Sequence, residues 1–192
     1  MSYTIDKLNE AEFFLNKLKE HKNVIPEFDY FLNAFVSSAR AVLWIMNYEY
    51  DSNNKWKNWY NEKSTSESED ILLRGITNMR NRSLKQAPLK TKKYHIMNLG
   101  TETVDIYEEI KKFVDKHGKD KEYDIVIKQH DNIENRKILR SENELTIHGR
   151  LNIHDTVEEF KGSNIIDKCE EYFLWLKSLV EECTSMFNNQ DN

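Results

Sequence analysis

The chain has 192 residues and a formal net charge of −5, with 32% charged and 39% hydrophobic residues. These values suit a soluble globular protein of one domain with one hydrophobic core. Only 5 Gly and 2 Pro are present, which argues against a loop-rich fold and favours long helices.

The apolar runs and the cysteines predict the compartment. The N-terminus lacks the basic start and apolar run of a signal peptide. The longest apolar run, residues 41–46, is too short to span a membrane. Cys169 and Cys183, on one predicted helix, would lie about 21 Å apart, too far for a disulfide bond. We therefore expect buried thiols in a cytoplasmic protein without a membrane segment.

Helical periodicity is the strongest pattern in the sequence. The predicted helices span residues 4–20, 26–50, 70–85 and 164–188. The second carries an apolar stripe that includes Phe28 and Phe35 and predicts the central strut of the core. Ser66 and Glu69 have the spacing of a capping box that would begin the third.

Three aromatic residues, Trp56, Trp59 and Tyr60, lie in the connection before this third helix. Their rings could stack on nucleobases. We favour the alternative, in which they clamp the connection onto the core.

Beyond Pro88 the pattern changes. Lys92 to Asn98 could be extended, and residues 101–117 keep a helical register that Gly118 would end. Segments of alternating polar and apolar residues, typical of half-buried strands, are 122–129, 136–140 and 144–153. His148-Gly149 is interpreted as the end of an element.

Together these patterns predict a single domain over residues 1–192. The fold would be a mainly α bundle of about four to five helices with a small antiparallel β insertion of two or three strands before the last helix. The helical core would occupy about 4–90 and 155–188, and the insertion about 120–153.

Residues 71–100 contain no Asp or Glu, although the rest of the chain has 21 basic and 33 acidic residues. The basic residues of this stretch are Arg74, Arg80, Arg82, Lys85, Lys90, Lys92 and Lys93. A cationic segment on an anionic protein predicts an anion-binding surface. The alternative is a solvated helix end followed by a basic loop.

Within this stretch, Arg80-Asn81 is followed by Lys85, and residues 32–40 form part of a long preceding helix. This arrangement resembles the HEPN superfamily of small α-helical bundles. Its signature is Arg, four residues, then His, often with Asn after the Arg, near the end of a bundle helix. Lys85 stands where that family has His. The resemblance covers roughly residues 8–90, together with the last helix by general architecture, and implies a HEPN-like bundle.

Many HEPN proteins cleave RNA without a metal ion, with two motifs meeting across a homodimer. The resemblance implies that Arg80 clamps a phosphate and that Asn81 orients a neighbour or caps the helix end. An ordinary Lys has a pKa of ~10.4 and is a poor general base near neutrality. Lys85 is therefore better suited to phosphate or RNA binding than to catalysis. If the protein is an enzyme, its catalytic residues would be Arg80, Lys85 and His95, although we favour the alternative, in which His95 is a surface-loop histidine or a capping group.

Three functions follow as hypotheses. The first is a non-catalytic or degenerate HEPN-like homodimer that binds RNA, a nucleotide or a partner protein. Its phosphate-binding residues would be Arg80, Asn81, Arg82, Lys85, Lys90, Lys92 and Lys93. The second is an active metal-independent ribonuclease of a toxin or phage-defence type. The third is a structural interaction protein, in which a buried Arg80 pairs with Glu49 or Asp51. We expect no cofactor and no metal, since the sequence has no His pair at helical spacing, no C-x-x-C and no Gly-rich phosphate loop.

Overall fold

The computed structural model describes residues 2–22, 24–63, 65–99, 102–130 and 136–187. The chain divides into two compact units. We call Met1–Thr91 with Val157–Asn192 the helical unit and Lys92–Thr156 the strand unit. Within the described ranges, none of the helices combines the length and the apolar content needed to cross a bilayer.

Helices make up the helical unit and begin where local signals place them. Its elements are α1 (Tyr3–Glu20), α2 (Glu27–Tyr50), α3 (Asn54–Glu62), α4 (Glu67–Lys85), a one-turn 3₁₀ helix (Glu158–Phe160) and α6 (Ile165–Phe187). The Ser66 hydroxyl and the Glu69 carboxylate form the predicted capping box at the start of α4. Asn188, where the last helix was predicted to end, lies outside the described residues.

The core of the helical unit is built around α2, whose apolar stripe is buried against α1, α4 and α6. Trp56 is fully buried, with ring centroids 5.2 Å from Trp59 and 5.0 Å from Tyr60, so these rings pack on the core. At Gly75 a Cβ atom would lie 2.2 Å from the Phe160 ring, which explains a glycine inside α4. Cys169 and Cys183 are buried thiols, and burial raises the pKa of both.

The strand unit is organised around one long strand. Its elements are β1 (Lys92–Asn98), β2 (Thr103–Asp105), α5 (Ile106–His117), β3 (Asp124–Gln129), β4 (Lys137–Arg140) and β5 (Glu144–Thr156). The first half of β5 pairs with β3 in parallel and with β4 antiparallel. Its second half pairs antiparallel with β1, which in turn pairs with β2.

The two faces of this sheet differ because successive strand residues point in opposite directions. Leu145 and Ile147 of β5 are buried with Ile106 and Phe113 of α5 and form the core of the strand unit. Thr146 and His148, which alternate with these residues along β5, therefore point to the other face. The backbone at Gly149 lies very close to Asn98 of β1, since a Cβ atom at Gly149 would be 2.5 Å from the Asn98 carbonyl oxygen.

The predicted fold class is wrong. The described residues form a mixed α/β structure with six helices and a five-stranded sheet, instead of a HEPN-like helical bundle with a small β insertion. The sheet already begins at Lys92, and β2 takes residues that were assigned to the helix at 101–117. Asp105 then caps α5. β3 pairs with β5 in parallel, whereas β4 pairs with β5 and β1 pairs with β5 antiparallel. Alternating residues in a sequence indicate a strand but not its direction.

Candidate functional site

The last two turns of α4 carry the residues that resemble the HEPN signature. The helix stays regular through Lys85, so Arg80 and Lys85 do not share a face. They lie about 140° apart around the axis. Asn81 and Lys85 are four residues apart and share a face. Nη1 of Arg80 lies 3.4 Å from Oδ1 of Asn81, which is a long hydrogen bond.

The segment after α4 is fixed on the first turns of α2. Oδ1 of Asn33 accepts hydrogen bonds from the Ser83 hydroxyl at 2.6 Å and from the backbone N–H of Leu89 at 2.9 Å. The buried Asp29 carboxylate accepts two more, from the backbone N–H and the hydroxyl of Thr91, at 3.0 and 2.8 Å. Residues 86–91, which follow α4, are therefore held on α2 within the helical unit.

Two cations of this region are paired with carboxylates from distant parts of the chain. Arg82 donates two hydrogen bonds of 2.7 Å to Glu159 in the 3₁₀ helix. These bonds raise the pKa of Arg82 above its ordinary value. Lys90 lies 3.5 Å from the second oxygen of Asp29. Both cations balance carboxylates that the fold removes from water.

Arg80 and Lys85 differ from these neighbours. Among the described residues, no carboxylate oxygen lies within 4 Å of either one. Arg80 is half-buried and Lys85 is exposed. Glu49 accepts hydrogen bonds from Ser2 and Thr4, and Asp51 pairs with Lys57. The pairing of Arg80 with Glu49 or Asp51, which a structural role predicted, is thus absent from the described part of the chain.

An open depression lies on the outward face of α4, one turn before Asn81. It is lined by Asp70, Leu73, Arg74, Thr77 and Asn78. Arg74 is near the carboxylate of Asp70, at 4.0 Å. The depression therefore has mixed charge and adds no net cationic character to the helix end.

The remaining predicted site residues belong to β1 in the strand unit. Lys93 lies 2.9 Å from the buried carboxylate of Asp155. Lys92 is exposed, and no carboxylate of the described residues lies within 4 Å of it. His95 is also exposed, opposite Ile153 of β5. Its side chain makes no hydrogen bond with the described residues.

The sequence interpretation missed a second group of basic side chains. His148 is not at the end of an element but within β5, opposite Lys128 of β3 and Lys137 of β4. Nε2 of His130 and Nδ1 of His148 are 2.8 Å apart, although the residues are separated by 18 positions. Burial lowers the pKa of His148, and the charges of His130, Lys128 and Lys137 lower it further. Sequence spacing alone could not find this group, because it depends on strand register.

Among the described residues, no three His, Cys, Asp or Glu side chains are grouped as metal ligands. Comparisons with protein-family models, with curated proteins and with solved structures give no match for this chain. The resemblance to HEPN proteins therefore rests on Arg80, Asn81 and their sequence context.

Proposed function

We propose that this protein binds RNA without cleaving it, through Arg80, Asn81 and Lys85 on the last turns of α4. One observation carries the proposal. Arg82 and Lys90 are paired with carboxylates, whereas Arg80 and Lys85 have no such partner among the described residues. The resemblance of Arg80-Asn81 to the HEPN signature supports the same ligand.

The residue types suit contact with phosphate. Arg presents a planar fork of donors that matches two phosphate oxygens, and Lys supplies a flexible point charge. The C-terminal end of a helix carries a partial negative charge and does not itself attract phosphate. The side chains must therefore hold the phosphates beside the helix, away from its axis.

Binding fits these residues better than cleavage does. Removal of a proton from a ribose 2′-hydroxyl needs a group that exchanges protons near neutrality. The helical unit has one histidine, His21, and its Nδ1 lies 2.8 Å from the Lys17 carbonyl oxygen. Its ring also packs on Phe31. The proposal assigns Lys85 to charge neutralisation.

The salt dependence of RNA affinity tests this site. Affinity for a labelled single-stranded RNA is measured in EDTA across a range of salt concentrations. The slope of log K against log[salt] is negative, and below we give its magnitude. Each lost phosphate contact lowers this slope by about 0.7 for single strands, so Arg80→Ala/Lys85→Ala should lower it by about 1.4. Lys55→Ala/Lys177→Ala removes the same charge from exposed positions on α3 and α6 and should change it less. An unchanged slope in the α4 variant contradicts the proposal.

Cleavage is tested with the same RNA in EDTA. We expect RNA to stay intact with the wild-type protein. Lys85→His restores the residue type of the HEPN signature, and activity gained by this variant would support a degenerate site. Cleavage by the wild-type protein that disappears in Arg80→Ala would instead establish the metal-independent ribonuclease.

We also propose that the protein forms a homodimer through the outward face of α2. Three large aromatic side chains are exposed on this face, with 62% of Tyr30, 67% of Trp44 and 81% of Tyr48 accessible to solvent. Smaller residues lie between them on the same stripe, namely Ala34, Ser37 and Ala41. A row of exposed aromatic side chains on one helix is typical of an interaction surface.

The order of this stripe fits a second copy of the same chain. Its residues are separated by four, three, four, three and four positions, so the spacing reads the same in both directions. Two antiparallel α2 helices related by a two-fold axis would place Trp44 opposite Ala34. Ser37 would then lie opposite Ala41, and Tyr30 opposite Tyr48. Trp44 then meets the small Ala34, the small residues Ser37 and Ala41 let the two helices approach closely at the centre, and the tyrosines pair at the two ends.

Sedimentation velocity tests the homodimer. We expect a dimer for the wild-type protein and a monomer for Ser37→Glu, because the new carboxylates would be buried near the two-fold axis. Leu174→Glu, at an exposed position of α6, should remain dimeric. A monomeric wild-type protein at all concentrations contradicts this interface.

A further inference from the structure

Three basic side chains form a row across the sheet of the strand unit. Lys128 of β3 and Lys137 of β4 are each paired in register with His148 of β5. Directly paired residues point to the same face of a sheet. Neighbouring strands are about 4.8 Å apart, so the three residues lie within about 10 Å of one another. They are on the face opposite the one that packs against α5.

His130 and Arg150 extend this row. The imidazole rings of His130 and His148 are nearly parallel, at 8°, with centroids 5.0 Å apart. Arg150 follows His148 by two residues on the same face of β5, about 7 Å further along the strand. We call Lys128, His130, Lys137, His148 and Arg150 the basic sheet face.

The permanent cations of the basic sheet face are not neutralised by the described residues. Lys128, Lys137 and Arg150 are exposed, and no described carboxylate lies within 4 Å of them. The nearest acidic pair on this face along β5, Asp124 with Glu144, precedes His148 by four residues, about 13 Å. Like charges on adjacent strands destabilise a sheet, and a bound anion would relieve this repulsion.

These charges also decide between ligand classes. Two imidazole nitrogens 2.8 Å apart could approach a metal ion, but the flanking lysines repel a cation. A phosphate group is attracted by the same lysines. The cations are exposed on neighbouring strands, which suits a polymer, and the paired imidazole rings offer a surface on which bases can stack.

We propose that the basic sheet face binds the phosphodiester backbone of single-stranded RNA, at a site separate from the end of α4. Lys128 and Lys137 hold phosphate oxygens on either side of His148, and Arg150 holds the next phosphate along β5. His130 and His148 supply hydrogen-bond donors and ring surface between these cations.

The test uses the full chain and a labelled oligouridylate in EDTA. Lys128→Ala/Lys137→Ala should lower the slope of log K against log[salt] by about 1.4. Lys128→Arg/Lys137→Arg should keep the wild-type slope, because the charge is retained. The matched control is Lys111→Ala/Lys116→Ala, which removes two exposed lysines of α5 and should lower the slope less. A wild-type slope in Lys128→Ala/Lys137→Ala overturns the inference.

A second comparison separates this site from the proposed α4 site. If only Lys128→Ala/Lys137→Ala lowers the slope, the basic sheet face binds RNA and the α4 proposal fails. If only Arg80→Ala/Lys85→Ala lowers it, the α4 proposal holds and this inference is overturned. A wild-type protein that does not bind the oligouridylate overturns both. Inorganic phosphate as a competitor should weaken RNA binding no more than sodium chloride of equal ionic strength. If phosphate competes more strongly than that, the ligand of the basic sheet face is free phosphate and the assignment to RNA is overturned.

Discussion

The end of α4 and the basic sheet face both carry cations, but they use them differently. At the end of α4, Arg82 and Lys90 are paired with the carboxylates of Glu159 and Asp29, whose side chains are only 11% and 4% exposed. On the basic sheet face, Lys128 and Lys137 are exposed, and the described residues offer them no carboxylate. Arg82 and Lys90 therefore stabilise the fold, whereas Lys128 and Lys137 remain available to a ligand, as Arg80 and Lys85 do at the end of α4.

The burial of the partner explains this difference. A carboxylate that is removed from water needs a nearby cation, so loss of that cation costs much of the desolvation free energy of the carboxylate. A solvated lysine beside another cation has no such role, and its loss costs little. Cations can thus be sorted into structural and ligand-binding groups by the carboxylates near them.

The largest effect on stability is expected for Arg82. Arg82→Ala leaves the mostly buried Glu159 carboxylate without its two hydrogen bonds. It should lower the free energy of unfolding by about 2 kcal/mol. Lys128→Ala should change it by less than about 0.5 kcal/mol. Urea denaturation measures both. Equal losses of stability would remove the distinction between the two regions.

A second prediction compares two arginines of the strand unit. Arg140 pairs with the buried Glu109 at 2.6 Å, whereas Arg150 lies on the basic sheet face. Arg140→Ala should lower the free energy of unfolding by about 1 kcal/mol at neutral pH, since Arg140 is itself partly exposed. Arg150→Ala should change it by less than half as much. The reverse order in urea denaturation would show that the basic sheet face is structural.

The pH dependence of this pair has a definite sign. Burial raises the pKa of Glu109, but hydrogen bonds from Lys112 and Arg140 outweigh it, so the pKa is lowered from its ordinary value of 4.5. The stability that Glu109 contributes is present above pH 4.5 and is lost as the pH falls through the lowered pKa. The difference between wild type and Glu109→Gln should therefore shrink below pH 4.5. A constant difference from pH 7 to pH 3 would contradict the role of its charge.

The smallest effect concerns the titration of His148. Burial is the main cause of its lowered pKa, followed by the charges of His130, Lys128 and Lys137. Lys128→Ala/Lys137→Ala should raise the pKa of His148 part of the way to the ordinary value of 6.5. The control Lys111→Ala/Lys116→Ala should leave it unchanged. NMR titration of the imidazole protons measures this shift, and an unchanged pKa in the first variant would place the lysines too far from His148.

Local patterns in the sequence predicted the helices well for a physical reason. The apolar stripe of α2 and the capping box at Ser66 and Glu69 both act within a few residues. Their geometry is fixed by the helix itself. The contact of Gly75 with Phe160 joins residues that are far apart in the sequence, so no local pattern could predict it.

The candidate sites could not be predicted because they depend on distant residues. Residues 71–100 contain no acidic residue, yet Glu159, 77 positions after Arg82, lies beside it in the fold. The net charge of a segment in the sequence therefore does not give the net charge of the region around that segment in the folded protein. The row of Lys128, His148 and Lys137 depends on strand register, and alternating residues specify neither the partner nor the direction of a strand.

The central claim is that carboxylate partners decide which cations can bind RNA. The most direct test is the salt dependence of RNA affinity for two variants that lose the same charge, Arg82→Ala/Lys90→Ala and Lys128→Ala/Lys137→Ala. The account predicts that the first keeps the wild-type slope while the second lowers it by about 1.4. If both variants lower the slope equally, or only the first does, ion pairing does not separate structural cations from ligand-binding ones.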